Sequence, residues 1–177
     1  MDEAKFEAQL AELPLYTYGF YDTSELVFTD RVRKVCEQEC SMYNKSWACP
    51  PAVGTVAECK ARCDRFPRFL MISTITEVRD IANLEETLAT RAGHEDMTRR
   101  VRDMLRAEAG EVYVLSTESC AICSQCAWPG GPCRHPERMF PCVESHGILV
   151  TDLAERHGID FLAGSNLVTW FSLLFYR

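Results

Sequence analysis

A chain of 177 residues, 47% of them hydrophobic, is long enough to bury one core and too short for two large domains. Its 26 acidic against 19 basic residues leave a net charge of -7, which argues against binding a phosphate backbone, because that needs clustered lysine and arginine. No apolar run approaches the roughly 18 to 20 residues of a membrane-spanning helix, and the opening Met1–Asp2–Glu3–Ala4–Lys5 lacks the basic and apolar regions of a secretion signal. A cytoplasmic protein with neither nucleic acid nor membrane as partner is expected. Ten cysteines in such a chain point to metal ligation, since a reducing compartment does not keep structural disulfides.

Residues 2–12 set Phe6 and Leu10 four apart among charged side chains, which predicts a short amphipathic helix. The aromatic run Leu15–Tyr21 predicts a strand or an extended packing segment. From Asp30 the pattern turns helical, with Val32, Cys36 and Cys40 at successive i+4 positions, so that both thiols share a face near the helix end. Tyr43–Cys49 breaks that helix, and Pro50 and Pro51 then fix an extended backbone and remove two amide donors. Cys36, Cys40 and Cys49 form one candidate ligand set. Thr55 and Glu58 stand as a capping box, opening a helix whose core seam is Val56, Cys59, Cys63 and Phe66. In that seam the two cysteines read as small buried apolar residues.

Phe69–Thr76 is a continuous apolar and β-branched run, the pattern of a buried central strand. Asn83 and Glu86 cap a helix that keeps its rhythm through Met97, Val101, Met104 and Leu105 to a stop at Gly110. Gly93 marks a point where that helix can split, and His94 in its polar middle is expected to face solvent. Glu111–Thr117 predicts a second strand, reached by a crossover long enough to set it parallel to the first. It delivers the second ligand set: Cys120, Cys123 and Cys126 at spacings of three, then Cys133 beyond the loop Trp128–Pro132. Loops leaving the carboxyl ends of strands are where α/β sheets hold ligands. From Phe140 to about Gly158 a helix is expected, with Leu149, Leu153 and Ala154 as its buried stripe, and Asn166–Tyr176 reads as a closing strand.

These elements predict an α/β or α+β protein: a small mixed sheet with a parallel βαβ core flanked by helices, plus cysteine-rich metal-binding loops. The expected organisation is one metal-binding domain over 1–177, with a helical part (1–66) carrying the first cysteine set and a βαβ part (67–177) carrying the second. Setting aside Cys59 and Cys63 leaves Cys36, Cys40, Cys49, Cys120, Cys123, Cys126, Cys133 and Cys142, enough for two four-thiolate sites. The triple run resembles that of bacterial ferredoxins, where each thiolate reaches a different iron of one cubane. It departs from them at the fourth position, because Cys133 follows at seven residues and precedes Arg134 rather than a proline. In two-cluster ferredoxins the last cysteine of a run serves the other cluster, so Cys49, Cys133 and Cys142 are open to exchange between the sites.

A wider resemblance rests on Tyr43, Lys45, Ser46, Trp47, Cys49, Pro50, Pro51, Ala52 and Gly54, with Glu58 and Cys59, and on the cysteine run followed by Pro129, Pro132, Cys133, Arg134, Pro136 and Glu144. In these the chain resembles, from about residue 30 onward, a family of predicted metal-binding proteins, domain of unknown function 2284. Cys142 and His146 depart from the family pattern. The family occurs in anaerobic bacteria and archaea, often beside corrinoid-dependent methyl transfer, and the resemblance implies a metal or iron–sulfur role. The expected function is therefore an iron–sulfur protein, with one or two [4Fe–4S] clusters, acting in electron transfer or as a redox accessory to an anaerobic enzyme through a redox partner protein. Zinc in a structural or partner-binding module is the alternative, and a metal-dependent enzyme or metallochaperone using Arg134, His135 or Lys45 is a third. Phosphate-loop, dinucleotide, zinc-protease and serine-hydrolase motifs are all missing from the sequence. No catalytic residue or oligomeric state is assigned.

Overall fold

In a computed structural model, which describes residues 1–161 and 163–177, four strands form one sheet. They are β1 (Thr17–Asp22), β2 (Arg68–Glu77), β3 (Val112–Ser116) and β4 (Leu167–Tyr176), in the order β1-β2-β4-β3, with every neighbouring pair antiparallel. The expected parallel βαβ core is therefore not formed. The crossover does return β3 in the direction of β2, since each is antiparallel to β4, but β4 lies between them. The reason is apolar content: Trp170–Tyr176 is buried without interruption. Such a strand is satisfied only with neighbours on both edges and layers on both faces. β2 pairs with it along its whole length, from Arg68 opposite Tyr176 to Glu77 opposite Leu167.

The two-residue period divides the core into two layers. Phe69, Met71, Leu115, Phe171, Leu173 and Phe175 face one side, against α3 (Val56–Cys63), α5 (Val150–Arg156) and the segment around Val143 and Ile148. Leu70, Ile72, Val114, Leu174 and Tyr176 face the other, against α1 (Glu3–Leu10) and α4 (Leu84–Ala109). The helix starts follow from their caps. Asp2 accepts the Lys5 amide at 3.2 Å, Asn83 accepts the Glu86 amide at 3.2 Å, and the Thr55 and Glu58 capping box closes reciprocally at 3.2 and 2.7 Å. α2 (Asp30–Gln38), capped by Thr29, packs on the 3-10 turn Glu144–His146.

Two further expectations are corrected. The helix expected from Phe140 begins only at Val150, and Leu149 is 46% exposed, while Leu153 and Ala154 are buried as expected. Gly147 ends the preceding turn at φ 79°, where a Cβ would come within 2.9 Å of the Thr29 carbonyl oxygen, so the chain reverses there instead of continuing a helix. α4 runs unbroken through Gly93, and His94 is buried at 2% exposure. The buried positions Arg91, His94, Thr98, Val101 and Leu105 continue the apolar seam toward the helix start. Hydroxyls satisfy the imidazole there: Thr74 Oγ1 lies 2.9 Å from Nδ1 and Ser172 Oγ 2.8 Å from Nε2, and Ser172 passes the chain on to Ser116 at 3.1 Å.

Burial holds His94 neutral, pushing its pKa from the ordinary 6.5 down to about 4. Its contribution to stability is complete above pH 6.5, declines as pH falls toward 4 and levels once the folded form also protonates. In urea unfolding, His94→Gln should flatten the pH dependence between 6.5 and 4 by on the order of 1.4 kcal/mol per pH unit. An unchanged slope would show that this histidine does not set it.

Candidate metal centres

The end of β3 anchors both cysteine regions. The Ser116 amide donates to the Pro141 carbonyl at 3.0 Å and the Ser116 carbonyl accepts from Val143 at 2.8 Å, forming a bridge that holds Cys142 beside the strand. The Cys142 amide in turn donates to the Ala48 carbonyl at 3.1 Å, which fixes the turn carrying Cys49. That turn and the loop beyond Cys126 are stitched by their tryptophans. Trp47 Nε1 donates to the Gly131 carbonyl at 3.0 Å, Trp128 Nε1 donates to Asn44 Oδ1 at 2.9 Å, and the two rings meet edge to face at 4.6 Å.

Two cavities result, each with four cysteines in its wall. Cys120, Cys123, Cys126 and Cys133 line the first. Ile122, Met139 and Trp47 give it apolar sides, and Arg134 and His135 stand at its edge. Burial pushes the Cys120 thiol up. At Cys126 a slight burial raises the pKa, but the nearby Trp128 and Trp47 amides and the Ser46 hydroxyl outweigh it, so the thiol is held below its ordinary value. Polar hydrogens gathered on one sulfur stabilise a thiolate there.

Cys36, Cys40, Cys49 and Cys142 line the second cavity, which is the larger of the two. Cys40 lies just past the end of α2 and is exposed, while Cys49 and Cys142 are buried. Burial pushes the Cys49 thiol up to about 11 and raises Cys36, and it carries Cys142 well above the ordinary range, with the Glu144 carboxylate adding to the effect. Such thiols bind metal only by giving up protons they hold firmly. Cys142 Sγ donates to Glu144 Oε2 at 2.8 Å, and Glu118, at φ 61°, and Ser119 complete this wall. Of the cysteines that the sequence leaves open to exchange, Cys133 lines the cavity of the triple run, and Cys142 and Cys49 line that of Cys36 and Cys40. Among the described residues, no three His, Cys, Asp or Glu side chains stand close enough together to hold one metal ion. The thiols surround spaces instead of meeting at a point.

A family model described as predicted metal-binding protein (DUF2284) matches residues 20–176. The chain belongs to this family. Searches of curated proteins and of solved structures returned no match. All ten cysteines fall in the part of this DUF2284 protein that the family model covers. Among the described residues, no helix is long and apolar enough to cross a membrane.

Not every residue singled out in the sequence reaches a cavity. Lys45 is exposed and lines neither. His146 is buried against Tyr113, whose hydroxyl lies 2.7 Å from Nε2, and burial pushes its pKa down to about 3. Cys63 packs in the core as expected, and burial pushes its thiol up to about 12. Cys59 is also fully buried but carries polar company that its helical spacing does not disclose. Arg62 Nη2 stands 3.0 Å and Arg33 Nη2 3.6 Å from its sulfur, and Arg33 also donates to the Gly54 carbonyl at 2.7 Å and to the Ser145 carbonyl. Arg33 thereby ties α2 to α3 and to the floor of the second cavity, and no local pattern marks it. Glu118, Ser119 and Glu144 also escape a search for cysteine spacing, although Glu144 stands in the family motif.

In metal-free DUF2284 protein, timed alkylation read by mass spectrometry should label exposed Cys40 first and leave Cys59 and Cys63, both at 0% exposure, protected until the chain unfolds. Rapid labelling of Cys59 under native conditions would contradict its placement.

Proposed function

We propose that this protein is an iron–sulfur protein that carries electrons to a redox partner, with a [4Fe–4S] cluster held by Cys120, Cys123, Cys126 and Cys133 and a second metal centre held by Cys36, Cys40, Cys49 and Cys142. The observation that carries the reading is the first cavity: four thiols around one space, with amides and a hydroxyl gathered at the Cys126 sulfur. The donor set fits the group, since four soft thiolates suit iron–sulfur chemistry. When bound, a cluster supplies a one-electron couple whose potential follows exposure and hydrogen bonding to sulfur.

The chain's own residues supply that environment. Trp47, Ile122 and Met139 give the first cavity its apolar lining. Arg134 Nη1 donates to the Gln125 carbonyl at 2.9 Å, which fixes the loop between Cys123 and Cys133 and leaves positive charge beside a site that becomes anionic when its thiols ionise. His135 stands at the same edge. Both serve as tuning groups in this reading. The net charge of -7 favours a partner with a basic docking face, found by electrostatic steering.

Protein purified without oxygen should be brown and contain iron and acid-labile sulfide at about four each per chain for one cubane, or about eight for two. Cys126→Ala should remove one cluster's share and its absorbance while leaving the far-ultraviolet circular dichroism unchanged. A colourless protein holding zinc and no sulfide would overturn the electron-carrier reading in favour of a structural or partner-binding zinc module.

A further inference from the structure

A groove separate from both cysteine-lined cavities runs between residues 88–99 of α4 and Ala121 and Ile122 of the triple cysteine loop. We infer that it binds a small carboxylic acid, whose carboxylate pairs with the Arg91 guanidinium and whose short hydrocarbon body lies on Ala89, Ala92, Ala121 and Ile122. The site needs no metal at either centre, so it stands or falls separately from the electron-carrier reading.

Arg91 is 8% exposed, yet among the described residues it has no hydrogen bond and no ion pair. Arg33, buried to a similar degree at 7%, shows what such a side chain ordinarily has: it donates to the Gly54 and Ser145 carbonyls and to the Cys59 sulfur. A cation withdrawn from water without a partner is costly. Glu95 stands four residues on, the position of a helical ion-pair partner, but its carboxylate is taken by Arg99 at 3.0 Å, and Arg99 also holds Asp96 at 3.0 Å. The Arg91 nitrogens are not sealed inside the core, so they open into the groove that the residue lines. A buried guanidinium kept free of the acid beside it is arranged for an anion from outside.

Charge and lining select that anion. Arg91, Arg99 and Arg138 against Glu95 and Asp96 leave one positive charge in excess, on the wall of a chain whose net charge is -7. Arg99 is engaged by the two carboxylates, so the free charge sits on Arg91 and on exposed Arg138 at the rim. A guanidinium fork matches the two oxygens of a carboxylate. Phosphate fits less well, because its sites draw on free main-chain amides, and residues 88–99 lie inside an unbroken helix whose amides are bonded within it. The three alanines leave room for a hydrocarbon body against apolar wall. Ile122 lines the first cysteine cavity as well, so a bound acid lies beside that cysteine set.

Equilibrium dialysis of the full chain, purified without oxygen, against radiolabelled hexanoate tests the site. Saturable uptake is expected at millimolar hexanoate, unaffected by hexanol and poorly displaced by inorganic phosphate. Arg91→Gln should weaken it by about tenfold or more, and Arg91→Lys by several-fold, since an ammonium lacks the fork. Arg100→Gln removes the same charge from an exposed position of α4 outside the groove and should leave uptake unchanged. Hexanoate should also raise the thermal midpoint of the wild type and not that of Arg91→Gln. Should Arg91→Gln not fold, Arg91→Lys carries both comparisons. No saturable uptake by the wild type, equal uptake by the Arg91 variants, or an equal loss in Arg100→Gln would overturn the site. Displacement by phosphate as effective as by unlabelled hexanoate would overturn its assignment to a carboxylic acid. Iron and sulfide content, which decides the electron-carrier reading, does not enter this measurement.

Discussion

The arrangement of both cavities depends on a short backbone ladder at the end of β3. Ser116 pairs with the chain on either side of Cys142, and Cys142 pairs with Ala48, so that sheet, 140s segment and Cys49 turn are joined by main-chain hydrogen bonds in sequence. Main-chain pairing fixes position without depending on side-chain rotamers, and it is dry, since Ala48, Ser116, Cys142 and Val143 are all buried. Thiols brought together from separate segments lose little further entropy on meeting a metal when their backbones are already set. The ladder itself follows from β4. Only because that strand takes the centre of the sheet does β3 become an edge strand whose last residue is free to pair outward.

Each cavity has its own physical character. The first is small and walled by tryptophan, with its sulfurs approached by amide and hydroxyl hydrogens, an environment that lowers the cost of negative charge on sulfur. The second is larger and includes two buried thiols, Cys49 and Cys142, whose protons burial holds firmly. The shared elements run between them: Ser46 and Trp47 face the first while Cys49 and Pro50 face the second, and Ser119 faces the second while Cys120 faces the first. Neighbouring residues serving opposite sides place the two sites a few residues apart.

Much of this was legible before folding. Caps at Thr55 and Asn83, the apolar run of β2 and the cysteine spacings each encode a local property, and local properties survive into the structure. What was not legible is non-local. Nothing in Leu167–Tyr176 says that it inserts between β2 and β3, because strand order is decided by which strand buries the most apolar surface on both faces. His94 looked solvent-facing because its neighbours in sequence are polar, yet Thr74 and Ser172, distant in sequence, supply the hydroxyls that make its burial possible. The division of the cysteines was equally hidden. Spacing groups Cys120, Cys123 and Cys126, but only the ladder and the tryptophan stitch put Cys133 with them and Cys142 with Cys36, Cys40 and Cys49.

That division is the centre of the account, and metal content across a double-variant cycle tests it most directly. Metal would be measured per chain in anaerobically prepared wild type, Cys133→Ser, Cys142→Ser, their combination, and Cys126→Ser with Cys133→Ser. Independent sets require that Cys133→Ser and Cys142→Ser each lose one centre and together lose both, while Cys126→Ser adds nothing to the loss already caused by Cys133→Ser. If Cys133→Ser and Cys142→Ser instead remove the same metal, or if Cys126→Ser deepens the loss in Cys133→Ser, the cysteines do not divide as the cavities place them, and the account of two separate centres is wrong.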